Sequence, residues 1–219
     1  MADAGYGADE AEAAGAMLKG LTAYYLLHDS YPAKAGETVL FHAAAGGVGL
    51  LAGQWLAARG VRAIGTAGGA AKGKLAARNG YSAVIDYRSE DFVARVRDLT
   101  GGAGVAAVYD SVGRDTIMGS LDCLETFGTL VSFGQSSGAP DEVRISHLAR
   151  GSLRLQRPTL FHYAASREWL ETASAALFAA IADNTLKINI GNKRPLAEAA
   201  AAHEDLEERA TTGSTVLIP

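Results

Sequence analysis

Residues 37–60 read ETVLFHAAAGGVGLLAGQWLAARG, and the three parts of this stretch decide the fold. A β-rich run at 38–41 leads into a glycine turn, and apolar residues at helical spacing follow it as far as Gly60. This order of strand, glycine turn and helix is the context that a dinucleotide-binding fingerprint requires. Glycines let the backbone approach a pyrophosphate closely, and the start of the helix offers free N–H groups to that anion.

The residues of this stretch leave two other interpretations open. In the G-x-G-x-x-G frame the positions are Ala44, Gly46 and Gly49, so alanine replaces the first glycine and a purely structural turn is an alternative. Residues 39–58 are also apolar enough to suggest a membrane span. The four glycines between positions 46 and 53, and the change from a strand to a helical pattern, favour a buried βα unit.

Composition limits the class of protein. The chain has 219 residues, of which 48% are hydrophobic, and this suffices for one large domain. Its net charge of −4 argues against nucleic acid or an anionic membrane as a partner. The single cysteine, Cys123, excludes an internal disulfide and a cysteine-based zinc cluster, and the five histidines lack metal-ligand spacing. We therefore predict no metal site and a cytoplasmic location.

Strands and helices alternate along most of the chain. Strands are predicted at 38–41, 61–66, 83–87, 105–109 and 129–133, and helices at 10–29, 50–59, 70–78, 90–99 and 115–127. Ser89 is the predicted N-cap of the helix at 90–99. Such alternation is typical of an α/β protein with a Rossmann-type, doubly wound parallel sheet. After position 152 the alternation breaks, with strands predicted at 153–158, 187–190 and 215–218 and helices at 167–186 and 196–209.

The end of each strand is the place to look for a ligand site in such a sheet. No acidic residue occurs between 61 and 71, and Lys72 follows, which favours the 2′-phosphate of NADPH over NADH, although Lys72 alone is also compatible with a solvated helix residue. Tyr87 and Arg88 are candidates for an adenine wall and a phosphate contact, or for ordinary surface residues. The polar segments 110–113 and 133–138 are where a nicotinamide ribose could lie. Hydrolase chemistry is discounted because G-x-S-x-G is absent.

Several segments taken together resemble one known family. FHAAAGGVG, VIDYRSEDF, VYDSVGRDT, VSFGQSSGA, LRLQRPTL and the ending ERATTGSTVLIP look like the zinc-independent quinone oxidoreductases, which include ζ-crystallin and belong to the medium-chain dehydrogenase/reductase superfamily. The resemblance covers roughly residues 14–219. It implies NADPH-dependent, metal-free hydride transfer to a quinone or enone acceptor. It also implies a homodimer, joined through the sheet edge at 153–157.

The same resemblance implies a set of cofactor-binding residues. Those of the pyrophosphate turn are Ala45, Gly46, Gly47 and Val48; those around the 2′-phosphate are Gly68, Lys72, Tyr87 and Arg209; those near the nicotinamide are Phe133, Gly134, Ser136 and Ser137. No catalytic side chain is assigned, because the hydride comes from the cofactor and any general acid could be water.

The chain departs from this family in one respect. Family members begin with a GroES-like domain that forms one wall of the substrate cleft, and the sequence here starts at the helix that enters the nucleotide domain. We expect a tail and entry helix at 1–30, an NADPH-binding domain at 31–186, and a segment at 187–219 that would pack on the missing catalytic domain. The chain should then bind NADPH but transfer hydride poorly. A non-catalytic NADPH-binding module or scaffold, and an enoyl-reductase-type enzyme, are the alternatives.

Overall fold

A six-stranded parallel sheet forms the centre of the computed structural model, which describes residues 10–141, 143–208 and 211–219. The strands are β1 (Thr38–Phe41), β2 (Arg62–Ala67), β3 (Ala83–Asp86), β4 (Val105–Asp110), β5 (Leu124–Ser132) and β6 (Arg154–Gln156). Their order across the sheet is β3-β2-β1-β4-β5-β6. The chain switches from one half of the sheet to the other between β1 and β4, which is where ligands bind in open sheets of this kind.

Helices cover both faces of this sheet. They are α1 (Glu10–Tyr25), α2 (Gly47–Ala58), α3 (Ala70–Arg78), α4 (Phe92–Leu99), α5 (Ile117–Cys123), α6 (Leu160–Ala164), α7 (Arg167–Ala182) and α8 (Ala199–Glu207). A π-helical turn at Leu26–Ser30 continues α1, and 3₁₀ turns occur at Ile145–Gly151 and Leu196–Glu198. A separate parallel pair consists of β7 (Ile190–Pro195) and β8 (Ser214–Ile218).

The two-residue period of the strands divides the core into two layers. Val39 and Phe41 of β1 point into the layer that α1, α2 and α7 cover. Leu40 points into the opposite layer, where it meets apolar side chains of α4 and α5. The predicted α/β fold with a doubly wound parallel sheet is therefore confirmed.

Residues near the C-terminus are attached to the glycine turn. Gly213 forms an isolated parallel bridge with Gly46, and the Ser214 hydroxyl donates to the carbonyl oxygen of Gly15 in α1 at 3.0 Å. These contacts bring the segment before β8 against both the start of α2 and the side of α1.

The apolar stretch at 39–58, for which a membrane span was an alternative, is divided between β1, the glycine turn and α2. Among the described residues, no helix has both the length and the apolar character that crossing a membrane requires.

The start of α4 differs from the prediction. Asp91, not Ser89, is the N-cap, and its carboxylate accepts from the N–H groups of Val93 at 2.9 Å and Ala94 at 3.3 Å. Ser89 belongs to the preceding turn, in which its N–H donates to the carbonyl oxygen of Asp86. The helix therefore begins at Phe92, two residues later than predicted.

Other element boundaries were also wrong. The helix predicted at 115–127 ends at Cys123, and β5 begins at the next residue because Leu124 pairs with Val105 of β4. Phe127, which the prediction placed inside that helix, has a left-handed φ of 67° that no α-helix contains. The helix predicted at 167–186 ends at Ala182, and the strand predicted at 187–190 lies at Ile190–Pro195.

Candidate functional site

A cleft of about 420 Å³ opens at the carboxyl ends of the central strands. Its walls come from the turns after β1 and β2, from the start of α4, and from the loops after β4 and β5. The lining residues are His42, Ala43, Ala45, Gly46, Thr66, Ala67, Gly68, Lys72, Tyr87, Phe92, Val112, Asp115, Thr116, Ser136 and Thr211. The cleft thus lies at the switch point of the sheet.

The glycine turn forms one end of this cleft. Gly46 is the N-cap of α2, and it supplies no side chain to satisfy the first N–H groups of the helix. A Cβ on Gly49 would lie 2.5 Å from the carbonyl oxygen of Ala43 and 2.7 Å from that of Ala44, so only glycine fits there. The Tyr81 hydroxyl donates to the carbonyl oxygen of Gly49 at 2.7 Å and fixes the turn from behind. An uncapped helix start beside open space suits a phosphate group.

Lys19 of α1 lies across the same helix start. A Cβ on Gly47 would collide with the aliphatic part of the Lys19 side chain. Burial lowers the pKa of the Lys19 ammonium, and the positive end of α2 is next to it. This combination favours an anion in the neighbourhood.

The end of β2 carries the residues that were assigned to the 2′-phosphate. At Gly68 a Cβ would lie 2.7 Å from the Tyr87 hydroxyl oxygen and 3.0 Å from Nε of Arg88. Gly69 follows with a left-handed φ of 88°. Lys72 lies in the first turn of α3, on the cleft side. The Tyr87 hydroxyl, the Arg88 guanidinium and Lys72 therefore all lie near the end of β2.

Asp86 ends the neighbouring strand β3, and its Oδ1 atom is engaged by backbone N–H groups. Oδ1 accepts from the N–H of Gly69 at 3.0 Å and from that of Arg88 at 3.1 Å. These two hydrogen bonds hold the pKa of Asp86 below its usual value. Asp86 therefore fixes the position of the 68–69 turn, and it does so as a carboxylate.

The loops after β4 and β5 form the other wall and are tied together. The Ser137 hydroxyl donates to the carbonyl oxygen of Val112 at 2.8 Å and accepts from the N–H of Asp115 at 3.0 Å. The N–H of Ser136 donates to the carbonyl oxygen of Ser111 at 3.2 Å. This wall presents the apolar Val112 beside the polar Thr116 and Ser136.

The structure gathers some of the residues that the sequence predicted, but not all of them. Ala45, Gly46, Gly68, Lys72, Tyr87 and Ser136 line the cleft. Gly47 and Val48 begin α2 next to it. Phe133, Gly134 and Ser137 do not line it: Phe133 packs on Phe41 at 5.7 Å between ring centroids, and Gly134 lies against Ser111. Arg209 lies outside the described residues.

A buried polar group beneath the cleft was missed by the sequence reasoning. His42, Thr66 and Thr116 line the cleft, and they connect to the fully buried Asp110 and Ser120 below it. Burial lowers the pKa of His42, and the charge of Asp110 opposes this shift. The sequence could have shown that His42 is buried. Side chains alternate along β1, and His42, which follows directly, lies on the same face as Leu40 and so points into the core.

The described part of the chain holds no group of three His, Cys, Asp or Glu side chains arranged to bind a metal ion. Cys123 is buried on α5, where burial raises its thiol pKa to about 12. A thiol with so high a pKa is not a nucleophile near neutral pH.

Comparisons with known proteins agree with this geometry. A family model described as zinc-binding dehydrogenase matches residues 47–177. Quinone oxidoreductase 1 of Escherichia coli (strain K12) is 52% identical over 211 residues, which are 95% of this chain and 64% of that protein. A 2-haloacrylate reductase of Burkholderia sp is 43% identical over 213 residues, which are 96% of this chain and 64% of that protein.

The likeness extends to solved structures. The crystal structure of Escherichia coli quinone oxidoreductase complexed with NADPH matches with a TM-score of 0.92 at 52% identity, covering 95% of this chain and 65% of that chain. The chain therefore spans a little under two thirds of the length of these relatives.

Proposed function

The chain belongs to the zinc-binding dehydrogenase family, and from that premise we propose that it binds NADPH and serves in hydride transfer from NADPH to a quinone or an enone. The observation that carries this proposal is the cleft itself. An uncapped helix start beside Gly46 suits a pyrophosphate, and Lys72 with Tyr87 at the next strand end suits a 2′-phosphate. The E. coli relative of similar structure is complexed with NADPH.

The preference for NADPH over NADH rests on charge. An NAD site usually presents a carboxylate to the ribose hydroxyls at the end of β2. Residues 61–71 contain none, and the nearby Asp86 is held by backbone N–H groups. Lys72 lines this end of the cleft and the exposed Arg88 lies beside Gly68, and such cations favour a phosphate dianion.

The proposed acceptors share one chemical feature. The relatives carry the names quinone oxidoreductase and 2-haloacrylate reductase, and both a quinone and an acrylate have a carbon–carbon double bond conjugated to a carbonyl group. When bound, the dihydronicotinamide supplies the hydride for such an acceptor, and solvent can supply the proton. The protein's part is to bind and orient the cofactor, and no metal ion is needed for this direct transfer.

The proposal extends to assembly and location. The edge strand β6 carries the half-exposed Leu155 and has no neighbour on its outer side in the described sheet, and we assign it to a homodimer contact. We place the protein in the cytoplasm, where NADPH is available and a single buried thiol stays reduced.

Calorimetric titration of the chain with NADPH and then with NADH tests this proposal. We expect NADPH to bind at least about tenfold more tightly, because the 2′-phosphate gains charge-assisted hydrogen bonds. Lys72→Gln should remove most of this difference and leave NADH binding unchanged. Lys74→Gln, on the same helix with an exposed side chain, is the matched control and should retain it.

Turnover separates the enzymatic proposal from its alternative. Quinone-dependent oxidation of NADPH, insensitive to a metal chelator, is the expected activity. Tight NADPH binding without any turnover would favour a non-catalytic binding module. If neither dinucleotide binds, the proposal fails as a whole.

A further inference from the structure

A chain of hydrogen bonds lies beneath the cleft, on the α4 and α5 side of the sheet. Nδ1 of His42 lies 3.0 Å from the Thr66 hydroxyl, and Nε2 lies 3.0 Å from the Ser120 hydroxyl. Ser120 donates to Oδ2 of Asp110 at 2.8 Å. Thr116 donates to both oxygens of the same carboxylate, at 2.9 and 2.8 Å. His42, Asp110 and Ser120 are at most 1% exposed.

The donors and acceptors of this chain follow from its geometry. The Asp110 carboxylate can only accept, so the single hydroxyl proton of Ser120 points toward it. Ser120 must then accept from Nε2–H of His42. In the neutral imidazole this leaves Nδ1 as an acceptor for the Thr66 hydroxyl. In a neutral ring, the network therefore places the proton of His42 on Nε2.

The surroundings of His42 agree with a neutral ring. Four described residues face it: Thr66 of β2, Asp110 of β4, Ser120 of α5, and Phe92 of α4, whose ring stands edge-on at 5.1 Å. Asp110 is the charged group among them, and Ser120 lies between the two. Burial lowers the pKa of His42, so the ring is uncharged at neutral pH.

The same network fixes one half of the cleft. It joins the ends of β1, β2 and β4, and Thr66 and Thr116 carry it to the cleft surface. Asp110 also accepts from the N–H groups of Val112 at 2.8 Å and Gly113 at 3.1 Å, so it holds the loop that contributes the apolar wall at Val112. Thr66 lies in β2, at whose end the adenosine ribose binds in folds of this kind, and the loop at Val112 follows β4 across the switch point.

We propose that His42 is a positioning residue for the dinucleotide, holding Thr66 on the adenosine side and, through Ser120 and Asp110, the loop at Val112 across the switch point in the arrangement that receives it. This inference rests on the proposed function. It goes beyond the glycine turn and the 2′-phosphate residues, because His42 acts from beneath the cleft through other side chains.

Protonation of His42 gives the inference a specific signature. A charged ring donates from both nitrogens, so Thr66 would have to accept at Nδ1 and turn its own proton elsewhere. The Thr66 hydroxyl would then accept a hydrogen bond from His42 and no longer donate one to it. Binding should weaken as the pH falls below the lowered pKa of His42, where the ring becomes charged.

Titrations with NADPH between pH 5.5 and 8, on wild type and four variants, test the inference. His42→Leu removes both ring hydrogen bonds. His42→Asn keeps an acceptor for Thr66 and cannot titrate. Ser120→Ala separates His42 from Asp110. Ser132→Ala is the matched control, because Ser132 is equally buried at the register position beside Asp110 and its hydroxyl has no hydrogen-bond partner in the described structure.

The expected results separate a positioning role from a purely structural one. At pH 7.5 His42→Leu and Ser120→Ala should bind NADPH about tenfold more weakly, because each breaks the hydrogen-bond chain beneath the cleft wall. His42→Asn should recover most of the affinity. The ratio of wild-type to His42→Asn affinity should fall toward acid pH, since the titration of the 2′-phosphate is common to both proteins and cancels. Ser132→Ala should match wild type throughout.

Each contrary outcome has a distinct meaning. A ratio that rises toward acid pH, or affinities of the His42 and Ser120 variants within twofold of wild type, overturns the positioning role and leaves the proposed function intact. Equal losses for Ser120→Ala and Ser132→Ala also overturn it, because any buried serine would then matter. If His42→Leu does not fold, Ser120→Ala and His42→Asn decide. Absence of NADPH binding by wild type is instead the failure of the proposed function.

Discussion

At the scale of single residues, Gly49 is the position where the glycine turn tolerates no side chain. A Cβ there would meet two backbone carbonyl oxygens at 2.5 and 2.7 Å, and neither can move without shifting β1 or α2. We expect Gly49→Ala to lower the free energy of unfolding by about 2 kcal/mol or more, measured by urea denaturation.

Gly73 provides the matched control within α3. A Cβ at Gly73 would have its nearest neighbour, Cγ1 of Val84, at 3.9 Å, and its backbone is helical. Gly73→Ala should therefore raise the free energy of unfolding by about 0.5–1 kcal/mol, because alanine is the better helix former. If both variants change stability in the same direction, the steric argument for Gly49 is wrong.

His42 predicts a pH dependence of stability whose sign follows from its pKa. Burial lowers that pKa below 6.5 in the folded protein, so between the two values the unfolded chain binds more protons. The free energy of unfolding should then decrease as the pH falls below about 6.5 and level off below the folded pKa. His28, whose pKa burial also lowers, contributes in the same direction.

Comparison with a variant isolates the part due to His42. His42→Asn cannot titrate but retains the His28 contribution, so its stability should fall less between pH 7.5 and pH 5.5 than that of wild type. Urea denaturation at both pH values measures the difference. Parallel losses in the two proteins would show that His42 is not neutral in the folded state.

At the scale of elements, the N-cap of α4 is Asp91, whereas the sequence predicted Ser89. Asp91 accepts two hydrogen bonds from the first turn, whereas Ser89 accepts none there. Asp91→Ala should cost about 1 kcal/mol of stability, the usual effect of losing an N-cap, and Ser89→Ala should cost much less. Urea denaturation of the pair tests this, and the reverse order would return the cap to Ser89.

Elements that the sequence predicted well share a local cause. β1, the glycine turn and α2 follow from the apolar pattern and from glycines within 24 consecutive residues, 37–60. The end of α5 could not be predicted in this way, because Leu124 leaves the helix to pair with Val105 on β4. Residues 115–127 alone do not reveal that partner. Long-range pairing thus overrides local helix preference at this point.

In the candidate site too, residues placed by local sequence were predicted, and residues brought together by long-range contacts were not. Gly46, Lys72 and Tyr87 were found because each occupies a fixed place relative to a predicted strand. Ser120 contacts His42 across 78 positions of sequence and links it to Asp110, and no spacing rule connects these residues. The assignment of particular residues to the cofactor stays a prediction, as do the domain boundaries.

At the scale of the whole molecule, the outer edge of β6 is the feature that bears on assembly. Leu155 is 41% exposed on this strand and Phe127, at the turn within β5, is 62% exposed. Leu155→Lys would place like charges close together across a two-fold axis, so it should convert the proposed dimer into a monomer. Sedimentation equilibrium should show twice the chain mass for wild type and one chain mass for the variant.

Leu206→Lys is the control for this prediction. Leu206 is 50% exposed on α8, outside the sheet, and its replacement should leave the mass at two chains. A Leu155→Lys protein that sediments as a dimer would place the interface elsewhere.

The bridge between Gly46 and Gly213 has a consequence for how the protein is made. A ribosome synthesises the glycine turn 165 residues before Thr211, which lines the cleft beside that turn, and Gly213 follows two residues later. The sheet can assemble during translation, since each of its strands precedes residue 157. A nascent chain can thus have a folded sheet while its cleft still lacks the wall that Thr211 supplies.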